Sequence, residues 1–352
     1  MKINKHCFPN GLRLVHYEDT STQMVALNIV YDVGARDEHP EHTGFAHLFE
    51  HLMFGGSAHI PDYDTPLQLA GGENNAWTNN DITNYYLTVP KPNVETAFWL
   101  ESDRMLELAF SEQSLEVQRG VVMEEFKQRC LNQPYGDVGH LFRPLAFRAH
   151  PYRWPTIGKE LSHIEQATLD EVKSFFYRFY APNNAVLAVT GNISWDETVK
   201  LTEKWFAPIP RRDVPVRQLP QEPEQTQERR LTVERNVPLD ALFMGYHMCS
   251  REGADYYAFD ILSDILSNGR SSRLNRRLVQ EQNIFSGIDA YISGTRDAGL
   301  LQISGKPAAG VSLEQAEAAV RKELEELQRS PVDGQELEKV KNKFESTQIF
   351  GN

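Results

Sequence analysis

The pentapeptide His47-Leu48-Phe49-Glu50-His51 contains residue types that together can bind a metal ion and move a proton. On an α-helix, positions 47, 50 and 51 lie within one narrow arc, so both imidazoles and the carboxylate point to the same side. This order of residues is the inverted form of a zinc hydrolase signature. The alternative interpretation is that both histidines are ordinary core residues and that Glu50 is their neighbour by chance.

The residues around this motif predict a short, buried helix that would hold the polar cluster rigidly. Apolar side chains cover the other faces of this helix, namely Phe45, Leu48, Phe49, Leu52 and Met53. Thr43 is the expected N-cap, and the pair Gly55-Gly56 is the expected stop, which gives a helix of about three turns.

A catalytic zinc usually has three protein ligands, so a third ligand is expected elsewhere in the chain. The best candidates are Glu124 and Glu125, in a stretch at 114–133 that is rich in helix formers. Each glutamate shares a helical stripe with apolar residues, so periodicity does not choose between the two. Either one could also be an ordinary solvated glutamate.

Several blocks of the sequence resemble the pitrilysin and insulysin superfamily of zinc peptidases, in the branch that includes the mitochondrial processing peptidase. The matching blocks lie at 34–38, 43–57, 75–78, 118–126, 155–158, 180–184 and 189–193. The resemblance implies one zinc ion per chain, held by His47, His51 and Glu125, with Glu50 as general base and a peptide as substrate. Gln118 stands where the family usually has a second glutamate that supports the metal site, which weakens that outer support.

The stretch 74–78, followed by the β-rich 85–89, predicts a strand that could lie at a sheet edge beside the metal. In the family the matching strand pairs its backbone with the substrate, so the resemblance makes Asn75, Ala76 and Trp77 substrate-binding candidates. Without the resemblance, an ordinary interior strand is the simpler interpretation.

The order of helices and strands predicts an α+β fold with two domains that are distant repeats of each other. We expect a zinc-binding domain at 1–207, a proline-rich linker at 208–227 and a second domain at 228–352. In the repeat register Asp260, Ser263 and Asp264 replace His47, Glu50 and His51, so the second domain would lack a metal. The resemblance implies largely antiparallel sheets covered by helices and two domains that enclose a chamber.

The second half departs from the family at two positions. Active members usually carry an Arg and, seven residues later, a Tyr that face the substrate carbonyl, and these positions fall on Val279 and Ser286 here. We therefore expect a homologous partner subunit that supplies the Arg/Tyr pair, and otherwise a homodimer. A local slip of the register, with Arg276 or Arg277 and Tyr291 in these roles, is the alternative.

Composition sets the outer limits. The formal charge of −13 over 352 residues argues against nucleic-acid binding. Cys7, Cys130 and Cys249 are expected to be buried and unpaired.

Neither a signal peptide nor a membrane span is visible, so we expect a cytoplasmic protein, or a periplasmic one if a leader was removed. The second domain looks incomplete at its C-terminus beside the family.

Two other functions fit the same fold. One is a scaffold subunit without peptidase activity, which the intact set of His47, Glu50, His51 and Glu125 argues against. The other is a peptide-binding subunit in which the zinc is structural. A structural zinc normally has four protein ligands, and no convincing fourth is visible.

Overall fold

The computed structural model describes residues 2–350 and consists of two units. The first unit extends to Arg230, and the second begins at Leu231. Each contains a sheet and several helices, and the first sheet contains both parallel and antiparallel neighbours. The predicted α+β fold class is therefore confirmed.

The first unit is built on one six-stranded sheet with the order β1-β2-β6-β3-β5-β4. Its strands are β1 Asn4–Cys7, β2 Arg13–Glu18, β3 Met24–Tyr31, β4 Glu73–Thr78, β5 Thr83–Pro90 and β6 Ala185–Gly191. Its helices are α1 Phe45–Leu52, α2 Asp64–Leu69, α3 Val94–Leu106, α4 Glu112–Phe126, α5 Val138–Ala146, α6 Leu161–Glu165, α7 Leu169–Phe179 and α8 Trp195–Phe206. A π-helical segment, Lys127–Leu131, continues directly from α4.

The core of this unit lies between one face of the sheet and the helices. Alternate residues of β3 are buried, as the period of a half-covered strand requires. From α1, Leu48 and Phe49 are fully buried in the same core. The Phe49 ring stacks on Tyr180 at a centroid distance of 5.0 Å. The helix that carries the histidines is therefore fixed to the sheet through its apolar side.

The second unit has a three-stranded antiparallel sheet with the order β7-β9-β8. Its elements are β7 Leu242–His247, α9 Tyr256–Ser267, β8 Phe285–Ile292, β9 Leu300–Pro307, α10 Leu313–Arg329 and α11 Gly334–Phe350. The sequence β7, α9, β8, β9 repeats the sequence β3, α1, β4, β5 of the first unit. In both sheets the last of these strands lies between the other two, which confirms the predicted internal repeat.

No regular element lies between Phe206 and Leu242. Residues 208–230, which we call the strap, are bound along the first unit by side chains. Four strap residues contact distant parts of that unit, namely Arg212 at the carbonyl of Tyr180, Arg217 at Asp32 and Asp37, Glu222 at the amides of 148–150, and Arg229 at the carbonyl of Leu145. The strap therefore has a defined path over the first unit.

The cysteine prediction is correct at one position and wrong at two. Cys130 is buried, whereas Cys7 is exposed and Cys249 is partly exposed, and all three are free thiols. Cys7 lies on the edge strand β1, whose side chains are largely exposed. Within residues 2–350, no helix combines the length and apolar composition needed to cross a bilayer.

Candidate metal centre

The helix α1 begins in a different way from the one that the sequence predicts. Its N-cap is Gly44, with a left-handed φ of 88°, and no side chain caps it locally. A Cβ on this residue would lie 2.6 Å from Ile164 Cδ1, so the position requires glycine for both conformation and space. The prediction of Thr43 as N-cap is therefore wrong. The Thr43 hydroxyl instead accepts the N–H of Lys159 at 2.7 Å.

The free amides at the start of α1 are bound by a carboxylate from the preceding loop. Glu38 accepts the N–H of Gly44 and the N–H of Ala46, both at 2.9 Å. Burial raises the pKa of Glu38 to about 8, and the two amide bonds act in the opposite direction. The helix ends at Leu52 and spans eight residues, so it is shorter than predicted and stops three residues before Gly55.

Three side chains from α1 and α4 converge on one point. The Nε2 atoms of His47 and His51 are 3.4 Å apart. Glu125 Oε2 lies 3.6 Å from His47 Nε2 and 3.4 Å from His51 Nε2. In a tetrahedral zinc site with bonds of about 2.0–2.1 Å, neighbouring ligand atoms are separated by roughly 3.3–3.5 Å. The triangle of donor atoms thus has nearly the dimensions of one face of a zinc tetrahedron.

This geometry also distinguishes between the two adjacent glutamates that periodicity left open. The Glu124 side chain is 57% exposed and faces Lys127. The Glu125 side chain is 20% exposed and faces the histidines. Among the described residues, one group of His, Cys, Asp and Glu side chains has donor atoms that are close enough to share one ion. That group is His47, His51 and Glu125.

The protonation states suit a cation. Burial lowers the pKa of His47 to about 4, so its imidazole is neutral near pH 7 and can offer a lone pair. A hydrogen bond with His51 holds the pKa of Glu125 below its ordinary value, with the Arg129 charge acting in the same direction and burial acting against it. Two imidazoles and one carboxylate are the donor set of many catalytic zinc sites.

Glu50 lies on the same side of α1 but outside the donor triangle. It is half-buried, and burial raises its pKa, while a hydrogen bond with Thr78 lowers it. Thr78 is the last residue of β4, so this contact places the strand β4 beside the candidate centre. A carboxylate in this environment is suited to accepting a proton near neutral pH.

The strand β4 is at the edge of the six-stranded sheet, as predicted. Ala76 pairs with Tyr85 on its inner side, and its own N–H is bound by the Asn75 side chain at 2.8 Å. Trp77 is 42% exposed. The outer edge of this strand therefore lies next to Glu50, with the Ala76 N–H occupied by the Asn75 side chain and the Trp77 indole partly exposed at the surface.

The structure adds two residues to the site that sequence reasoning missed. Glu38 holds the start of α1, and Arg129 Nη1 forms an ion pair with Glu125 Oε1 at 2.9 Å. The spacing of Arg129, four residues after Glu125 in a helical stretch, was a usable signal. Gln118, the predicted outer support, is half-buried two turns before Glu125 on the same face of α4.

The corresponding helix of the second unit, α9, carries Asp260, Ser263 and Asp264 in place of the metal-binding motif. Val279 packs against the apolar core of this unit, and the Ser286 hydroxyl donates to the carbonyl of Lys306 at 3.0 Å.

The alternative residues for the Arg/Tyr pair have partners of their own. Arg277 forms ion pairs with Glu323 and Glu326, each at 2.7 Å. Arg276 pairs with Glu281 at 3.6 Å. On β8, Tyr291 is 48% exposed, and its hydroxyl donates to Gln302 Oε1 at 3.4 Å.

Comparison with known protein families assigns the chain to a family. Residues 13–144 match the family model "Insulinase (Peptidase family M16)", and residues 166–344 match the model "Peptidase M16 inactive domain". The second match alone covers half of the chain, so the chain belongs to peptidase family M16. His47, Glu50, His51 and Glu125 all lie within the first match. The family resemblance seen in the sequence is confirmed.

Three relatives illustrate the similarity. The zinc protease PqqE of Helicobacter pylori is 29% identical over 338 residues, covering 94% of this chain and 76% of the relative. A Bacillus subtilis protein named "Uncharacterized zinc protease YmxG" is 25% identical over 347 residues, covering 98% of this chain and 83% of the relative. The crystal structure of a protease from Helicobacter pylori has a TM-score of 0.93 at 28% identity, covering 99% of this chain and 85% of that chain.

Proposed function

We propose that this chain is a zinc metalloendopeptidase that hydrolyses peptides or unfolded protein segments. The observation that carries this proposal is the donor triangle of His47, His51 and Glu125, with edges of 3.4 to 3.6 Å, together with Glu50 beside it. Its relatives named as zinc proteases give independent support.

The three donors would hold one zinc ion, which when bound lowers the pKa of a coordinated water and polarises a carbonyl. Glu50 would take the proton of the attacking water and deliver it to the leaving amine. Its half-buried position beside Thr78 keeps this carboxylate next to the edge strand.

The edge strand β4 would bind the substrate through its main chain. A peptide added to this edge would pair with the outer N–H and C=O groups around Ala76, after the Asn75 side chain has released the Ala76 N–H. Trp77 would then contact a substrate side chain. Recognition of this kind depends more on an extended backbone than on one particular residue.

The test is hydrolysis of a mixed pool of unstructured peptides by the purified, zinc-loaded chain. Glu50→Gln is expected to lower turnover by about 10²- to 10⁴-fold while zinc still binds. Glu124→Gln, which changes an exposed carboxylate close to the centre, is the matched control and should keep full activity. Measurable and equal turnover by the wild-type chain and Glu50→Gln would refute the proposal.

A partner requirement is proposed for full activity. Val279 and Ser286 cannot donate hydrogen bonds as an Arg/Tyr pair would, and Arg277 is held by two glutamates. We therefore expect a homologous subunit to supply these donors to the substrate carbonyl. Full turnover by the isolated chain would refute this requirement while leaving the peptidase proposal intact.

A further inference from the structure

The two oxygen atoms of Glu125 have different partners. Oε2 faces His47 and His51 at 3.6 and 3.4 Å. Oε1 faces the guanidinium of Arg129 at 2.9 Å. One oxygen is thus directed into the donor triangle, and the other is turned towards a cationic side chain outside it.

The arginine comes from an unusual piece of backbone. It lies in the π-helical segment Lys127–Leu131, which begins where α4 ends. The segment is anchored by Cys130, which is buried, while the Arg129 side chain is 67% exposed. Arg129 is four residues after Glu125, and side chains at this spacing are neighbours on a helical surface, so Arg129 can reach back to Glu125.

We propose that Arg129 is a positioning residue that holds Glu125 as a one-oxygen ligand of the metal. This inference rests on the zinc site of the proposed function. A free glutamate carboxylate can bind through either oxygen or through both. With Oε1 drawn to the guanidinium, Oε2 is the oxygen that faces the position of the ion, and binding through this one oxygen would leave a coordination position for water.

The direction of the change in zinc affinity distinguishes a positioning role of Arg129 from a purely electrostatic one. Arg129 is a cation close to a site for a dication, so loss of its charge alone would strengthen zinc binding. Loss of its hold on Glu125 would weaken zinc binding, because the carboxylate must then be ordered by the metal itself. Weaker zinc binding after removal of a positive charge is therefore specific to a positioning role.

The experiment compares Arg129→Met and Arg129→Lys with Lys127→Met, using zinc affinity measured by competition with a chelator. Lys127 is in the same segment and pairs with Glu124 at 3.9 Å, so it controls for charge. Arg129→Met is expected to bind zinc about 10- to 100-fold more weakly. Arg129→Lys should show an intermediate loss, and Lys127→Met should bind zinc as the wild type does or slightly more tightly.

A second readout reports the coordination itself. In the cobalt-substituted wild-type chain the visible absorption should be that of a four-coordinate ion. In Arg129→Met it should weaken towards a five-coordinate spectrum, as both oxygens of Glu125 approach the metal. Melting of the metal-free variants should match that of the metal-free wild type, which separates this effect from misfolding.

Unchanged or tighter zinc binding by Arg129→Met, with an unchanged cobalt spectrum, would overturn the inference. An increased KM for peptides with zinc affinity intact would also overturn it, since Arg129 would then act on the substrate. Absence of zinc binding by the wild-type chain would instead refute the proposed function, and this outcome is seen before any variant is measured.

Discussion

Glu38 accepts the backbone N–H of Ala46, the residue directly before His47, at 2.9 Å. Its other oxygen accepts the N–H of Gly44. The start of the metal-binding helix is thus fixed by a buried side chain from a separate loop. The position of His47 therefore depends on a residue that would bind neither metal nor substrate.

Replacement of this carboxylate should loosen the helix start. In Glu38→Gln one of the two amides faces an NH₂ group, so we expect a loss of about 1–3 kcal/mol in the free energy of unfolding. Urea denaturation of the metal-free protein measures this free energy. Glu41→Gln, an exposed change in the same loop, should have no effect, and equal stability of the two variants would contradict the capping role.

The same residue predicts a pH dependence of stability. Because burial raises the pKa of Glu38 to about 8, the native state keeps a proton that the unfolded state loses near its ordinary pKa of 4.5. The contribution of Glu38 is therefore fully present below about pH 4.5 and is lost as the pH rises towards 8. The unfolding free energy of the wild type, relative to Glu38→Gln, should fall between pH 5 and pH 9. A difference that is constant or rises over this range would contradict the assignment.

The middle of the strap should be loosened by a single substitution. Arg217 binds Asp37 at 2.5 Å and Asp32 at 2.9 Å, and the Asp37 side chain is only 2% exposed. Arg217→Met removes the arginine from this buried carboxylate and leaves it the Gly34 N–H, which should destabilise the first unit by up to about 3 kcal/mol. Limited proteolysis should then cleave within 208–230 faster than in the wild type. Arg211→Met, at an exposed neighbouring position, is the control, and equal cleavage of the two variants would show that Arg217 does not hold the strap.

Metal removal should abolish activity without unfolding the chain. The apolar side of α1 is packed in the core and its start is bound by Glu38, so the helix does not depend on an ion for its position. After chelation we expect an unchanged far-ultraviolet circular dichroism spectrum and a lower Tm, with the stabilisation by zinc rising with its free concentration. Re-addition of zinc should restore hydrolysis. Loss of the folded spectrum on chelation would identify the ion as structural.

The sequence predicted those parts of the site that depend on local spacing. His47, Glu50 and His51 share one helical face wherever the helix lies, and the edge strand β4 follows from its composition and the family resemblance. Glu125 could not be separated from Glu124 by periodicity, because the distinction requires the packing of α4 against α1.

Contacts between distant segments were not predictable. The capping of α1 by Glu38 accompanies the left-handed conformation of Gly44, which only the three-dimensional structure shows. The contact of Arg217 with Asp37 joins residues 180 positions apart. A proline-rich composition indicates a linker, and it says nothing about which ion pairs hold that segment in place.

Zinc titration of the metal-free chain tests the donor triangle most directly. The wild type should bind one zinc ion per chain, and Glu124→Ala should bind it equally well. Glu125→Ala should bind zinc more than about 100-fold more weakly. This loss exceeds the loss of zinc affinity expected when a residue that only supports a ligand is removed. Equal affinity of Glu125→Ala and Glu124→Ala, or wild-type binding of no zinc at all, would show that His47, His51 and Glu125 do not form a metal site.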